Sequence, residues 1–169
     1  MNFQLSSTSS AGSFDLLDAQ ETLVTHFQYE NWFSSTGTAI LNENSVTISP
    51  RNIWHSSFDV FVNDEDRGDI TFNWQGHILI RLQDQAGRVT KYRLKTKGFR
   101  GFQFMVEDEQ HTTLMQLVPT FQWTKMGYNY GVEFAETFRP DTDLSVVTLL
   151  LACGYGANLY MAMIATMAA

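Results

Sequence analysis

Six of the eleven Lys and Arg residues fall within thirteen positions, Arg88, Lys91, Arg93, Lys95, Lys97 and Arg100, and no acid interrupts them. Lys91, Arg93, Lys95 and Lys97 are spaced by two, so on a strand they share one face while Tyr92 and Leu94 turn to the other. Such a row suits the binding of a polyanion. Guanidinium groups make forked hydrogen bonds to phosphate oxygens, and ammonium groups act as point charges. A phosphoinositide-type head group fits that chemistry. The alternative is a solvated strand face whose charges discourage edge pairing or meet acids on the next strand.

Other patterns suggest less. His26, His55, His77 and His111 show neither His-x-His nor His-x-x-x-His spacing, so they outline no metal site. The acidic run 63–69 lacks the spacing and terminal Glu of an EF-hand loop and reads as a hairpin turn. No Gly-x-Ser-x-Gly elbow and no glycine-rich phosphate loop occurs. Cys153 is the only cysteine, which excludes an intrachain disulfide and a Cys-rich zinc site and fits a reducing compartment. The expectation is a protein that is not an enzyme and uses neither metal nor cofactor.

The elements that would carry the basic row are strands. Phe58, Val60 and Val62 alternate with polar or outward neighbours, as do Ile70, Phe72 and Trp74, then Ile78, Ile80 and Leu82. Phe102, Phe104 and Val106 repeat the pattern, and so do Tyr128, Tyr130, Val132 and Phe134. Strict alternation of this kind sets one side of each strand in a core. Asn, Asp and Gly separate the runs at 42–44, 64–68, 84–87 and 107–110, which implies antiparallel hairpins in a meander. Roughly eight to twelve strands with no room for crossover helices predict a mainly β fold, an antiparallel meander closed into a barrel. Residues 1–13, rich in small polar side chains and without a leader-type apolar stretch, read as a flexible tail on a single domain of 14–169.

After Asp143 the pattern changes. Residues 144–169 carry no charge, and Ala, Leu and Met dominate them, so they predict a helix capped by Thr142 or Asp143. A helix apolar on every side is buried, in lipid or in protein. It is either a transmembrane span, with Arg139 the nearest cation, or a plug for a barrel too wide to be filled by its own side chains.

With 169 residues, 44% of them hydrophobic and 14% aromatic, the chain can build one substantial core. A net charge of -7 speaks against nucleic acid as a partner. The cytoplasm, with peripheral membrane contact, is the expected location.

The strand–turn–strand units Phe58-Asp59-Val60-Phe61-Val62-Asn63-Asp64 and Ile80-Arg81-Leu82-Gln83-Asp84-Gln85-Ala86-Gly87, followed by the apolar helix from Leu144, resemble the tubby C-terminal-like superfamily. That group includes tubby domains, LURP-one-related proteins and phospholipid scramblases. The resemblance runs from about Trp32 to Ala169 and is architectural. It implies a closed barrel of about twelve strands threaded by the C-terminal helix. Its family roles include phosphoinositide binding, lipid scrambling and defence-linked functions. The expected function is a non-enzymatic domain that binds an anionic phospholipid head group or a protein partner. The alternatives are a membrane-anchored scramblase-like protein spanning with 144–169 and a barrel open to a small ligand.

Overall fold

The computed structural model describes residues 2–31, 34–52, 56–73, 76–98, 102–138, 140 and 143–168. His55, Trp74, Arg100, Arg139 and Thr142 therefore lie outside the described residues. Twelve strands follow one another: β1 (Asn2–Ser7), β2 (Phe14–Leu17), β3 (Leu23–Tyr29), β4 (Gly37–Leu41), β5 (Asn44–Pro50) and β6 (Ser57–Val62) make the first half. The second half is β7 (Glu65–Phe72), β8 (Ile78–Gln83), β9 (Val89–Lys97), β10 (Gln103–Glu107), β11 (Thr113–Gln122) and β12 (Gly127–Phe134), and α1 (Leu144–Met167) comes last. Each strand pairs antiparallel with its neighbours in the chain, and β1 closes the ring on β12. The result is a closed up-and-down barrel, so no sheet edge is left to pair with another chain.

The period-two pattern becomes an inner and an outer face. Phe58, Val60, Ile70, Ile78, Ile80, Leu94, Phe104, Val106, Tyr130 and Val132 are all buried in one core. Their alternate neighbours form the outer wall.

The N-terminal segment departs from its expected form. Asn2–Ser7 is a full stave of the barrel: Leu5 pairs with Tyr130 on one side and Leu16 on the other. Phe3 and Leu5 are buried, and only 8–13 remain as a connection. Phe3 and Leu5 do alternate with Gln4 and Ser6, but two apolar residues before a serine-rich run give too short a period to stand out.

The β6–β7 turn is tighter than expected. It consists of Asn63 and Asp64, both at positive φ (52° and 63°), as a two-residue hairpin loop requires. Gly68 sits instead within β7, beside a register shift, where a Cβ would lie 1.9 Å from the Arg81 carbonyl oxygen. Only glycine fits that close approach.

Helix α1 starts at Asp143, whose carboxylate accepts from the Val146 backbone N–H at 2.9 Å. Residues 147–157 are buried. Gly154 meets Leu5 and Phe14 of β1 and β2, whereas Gly156 meets Ile78 and Leu94 of β8 and β9, across the ring. The Tyr155 ring packs with Phe27, Tyr29 and Phe58. Contacts on opposite walls put the helix inside the barrel, so the lumen an open carrier needs is filled. Two polar side chains of α1, Tyr155 and Asn158, find partners in the barrel. Tyr155 donates to the Ser35 carbonyl at 2.6 Å, and Asn158 accepts from Tyr130 at 2.9 Å while donating to the Gly12 carbonyl at 3.0 Å. Burial pushes the Cys153 thiol up, away from reactive thiolate. Residues 162–168 emerge from the far mouth and are exposed.

Candidate functional site on the outer wall

The basic row runs along β9 on the outer face. Lys91 lies opposite Arg81 of β8, Arg93 opposite Leu79 and Glu107, Lys95 opposite Met105, and Lys97 opposite Gln103. Tyr92 and Leu94 pack toward the core. The six expected site residues do not act alike. Arg88 belongs to the β8–β9 turn, where its backbone N–H donates to Asp84 at 2.9 Å and its guanidinium to the same carboxylate at 3.1 Å. These bonds, the backbone one foremost, hold the Asp84 carboxyl below the usual range. Lys95 pairs with Glu107, a buried carboxylate on β10. Among the described residues, Lys91 and Lys97 make no ion pair. Arg93 faces His111 Nδ1 at 3.4 Å, and its buried Nε has no hydrogen-bond partner there. Arg100 lies outside the described residues.

Beside Lys91 and Arg93 the wall is indented by a groove of about 520 Å³, to which Arg51, Arg81 and His111 also contribute. Asp69, Asp108 and Glu109 supply its carboxylates. Asp69 is buried although it faces outward, because Arg81 and Arg51 cover it. The Arg81 hydrogen bond is the main reason its carboxyl sits below the usual range, and burial opposes that shift. Arg51 also donates to Asp59 from Nε at 2.7 Å, and these carboxylates raise both guanidinium groups. Asp108 is engaged in its own turn, accepting from Gln110 and Thr112. Among the described residues Lys91 and Arg93 make no ion pair with a carboxylate, and Arg81 stands beside them in a fixed position. Phosphate oxygens would supply the acceptors those groups lack.

Arg81 and Arg51 are not among the candidate site residues read from the sequence, and Asp69 appears there only as the end of the acidic run 63–69, whereas it lies within β7. The signal for Arg81 was present: the hairpin around 84–88 pairs Gln83 with Val89, which brings Arg81 opposite Lys91 two steps on.

A second cavity, of about 720 Å³, opens where α1 enters the barrel. Its cations are Arg67 and Arg88, and its acids Glu65, Asp84 and Asp143. Arg67 already donates to Glu65 and to the Asp84 carbonyl, and Asp143 occupies the helix N-terminus, so this mouth does not favour an anion. Among the described residues no group of three His, Cys, Asp or Glu could hold a metal ion. Compared with family models, with curated proteins and with solved structures, the chain gave no match.

Proposed function

We propose that this barrel is a non-enzymatic binding module that takes a phosphate-bearing anionic head group on its outer wall. Lys91 and Arg93 make the principal contacts, and Arg81 supports them. The observation that carries the reading is the adjacency of Lys91 and Arg93 at a groove whose most buried acid, Asp69, is already covered by two guanidinium groups. A net charge of -7 opposes diffuse attraction to an anionic surface, so recognition depends on a groove that orients the contacts. A twelve-stranded ring around an apolar helix agrees with the form implied by the resemblance to the tubby C-terminal-like superfamily, and this supports reading the chain as tubby-like. On this reading the protein works in the cytoplasm at a membrane surface.

The test compares wild type with Lys91→Gln/Arg93→Gln, leaving Lys95 in place because it neutralises Glu107. Vesicles containing a phosphoinositide should retain the wild-type protein in co-sedimentation, and a soluble inositol phosphate should compete. Each cation near an anionic surface is worth about 1 kcal/mol, so the double variant should bind about thirtyfold more weakly. Added salt should weaken the wild type more than the variant. Equal retention of two well-folded proteins would falsify the proposal.

A further inference from the structure

The end of the barrel where α1 emerges differs from the rest of the surface in both apolarity and charge. Odd-numbered strands finish here and even-numbered strands begin here. In the β11–β12 turn Trp123 is 79% exposed and Met126 62%, and at the helix tip Met167 is 84% exposed. Met163 and Ile164 are exposed as well, so five of the eight large hydrophobic side chains exposed among the described residues stand at this end. The tip is braced by the rim. Tyr160 stacks on Phe102 with ring centres 6.1 Å apart, and Phe121 holds Trp123 edge-on at 4.9 Å. Between helix and rim runs an open apolar groove of about 610 Å³, walled by Met161 and Ile164 on one side and by Phe121 and Tyr128 on the other.

Charge divides the two ends. Among the described residues every connection at the opposite end carries a carboxylate: Asp18 with Glu21, Glu43, Asp64, Asp84, Asp108 with Glu109, and then Glu136 and Asp143 before the helix, and only Asp84 is offset by a cation in its own turn, Arg88. At the emergent end the described connections contain one carboxylate, Glu30, while Lys97 closes β9 and Lys125 lies between Trp123 and Met126.

We infer that the protein docks end-on onto a lipid surface through this end. Trp123, Met126, Met163, Ile164 and Met167 enter the interfacial layer, Lys97 and Lys125 meet lipid phosphates, and the acidic end points to solvent. Tryptophan and methionine beside lysine match such a boundary, where an apolar body is buried and an ammonium head stays wet. The exposed part of α1, residues 162–168, is about 10 Å long, enough to reach the acyl boundary and far short of the ~30 Å hydrocarbon core. An anionic lipid surface is attracted by the lysines and repelled by the opposite end, which fixes the orientation. A second copy docked head to head would set those lysines against their own counterparts. This docking goes beyond the proposed groove and requires neither Lys91 nor Arg93.

The experiment uses the full chain with vesicles of phosphatidylcholine, with and without phosphatidylserine, some carrying brominated acyl chains. Wild type should partition onto phosphatidylserine vesicles, and bromines near the interface should quench its tryptophan emission. Met163→Ser/Met167→Ser, at exposed positions, should keep the fold and lower partitioning about tenfold to a hundredfold. Lys91→Gln/Arg93→Gln should leave the quenching in place, which separates failure of the groove from failure of the tip. Absence of wild-type partitioning, or equal partitioning by the methionine variant, overturns the inference. So does sedimentation velocity that shows tip-dependent dimers without vesicle binding.

Discussion

The two ends of α1 have nearly the same composition and opposite surroundings. Residues 147–157 touch barrel wall on every side, whereas 162–168 meet solvent. Neither stretch carries a charge. The difference comes from length. A 24-residue helix is about 36 Å long. The longest strand, β11, has 10 residues, about 33 Å when extended and about 25 Å in height once tilted as a barrel of this kind requires. About 10 Å of helix must therefore overhang. All-round apolarity states that a helix avoids water; the height of its container decides which part succeeds.

A charged substitution tests this contrast most severely. Leu150→Asp, in the enclosed half, should cost about 4 kcal/mol or more, because it buries an unpaired carboxylate and removes packed methyl groups. Met167→Asp, in the overhang, should stay within about 0.5 kcal/mol. Urea unfolding followed by circular dichroism measures both. Similar losses at the two positions would erase the distinction.

The same contrast can be drawn on the outer wall, between buried and exposed carboxylates. Asp69→Asn leaves two guanidinium groups around a neutral amide and should cost about 1.5–3 kcal/mol at neutral pH. Asp64→Asn, in an exposed turn, should cost almost nothing. Because the folded-state value of Asp69 is depressed, its contribution is fully present above the ordinary carboxyl value of 3.8. It is lost as pH falls through the lower folded value, since the unfolded chain then binds the proton more readily. The Asn variant should lack that part of the acid-side slope, and melting temperatures across the acid range would show it.

A smaller effect separates two neighbours in the basic row. Lys95→Met leaves buried Glu107 with only His111, 3.8 Å away, and should lower stability by about 1–3 kcal/mol. Lys97→Met, without an ion pair among the described residues, should change it by less than about 0.5 kcal/mol. If the two melt alike, the Lys95–Glu107 pair adds nothing to stability.

What sequence conveyed depended on the range of the interaction. Alternation at Phe58-Val60 or Ile78-Ile80 is local, because a strand with one dry face must repeat every second residue, and the apolar run from Leu144 was just as plain. β1 was hidden because Phe3 and Leu5 depend on pairing with β12, more than a hundred residues away in the chain. The site was legible as one strand and illegible as a surface. That Lys91, Arg93, Lys95 and Lys97 share one outward face follows from spacing by two. That Arg81 stands beside Lys91, Asp69 beneath Arg81 and Glu107 under Lys95 depends on how β9 pairs with β8 and β10, and β8 with β7. No pattern in a single strand encodes the register between strands; only the short β8–β9 hairpin hinted at it.

The order of elements along the chain also constrains how the protein is made. Hairpins β2 to β12 can form one after another as the chain leaves the ribosome, but closure waits for β12 to meet β1, and the interior is filled by α1, which follows every strand. A nascent chain with all its strands extruded is therefore a ring around an unoccupied apolar lumen, which exposes Phe27, Phe58 and Phe104 until the helix arrives. Synthesis that pauses between β12 and α1 prolongs the most aggregation-prone species on the route, so the interval between them is where a chaperone would have most to protect.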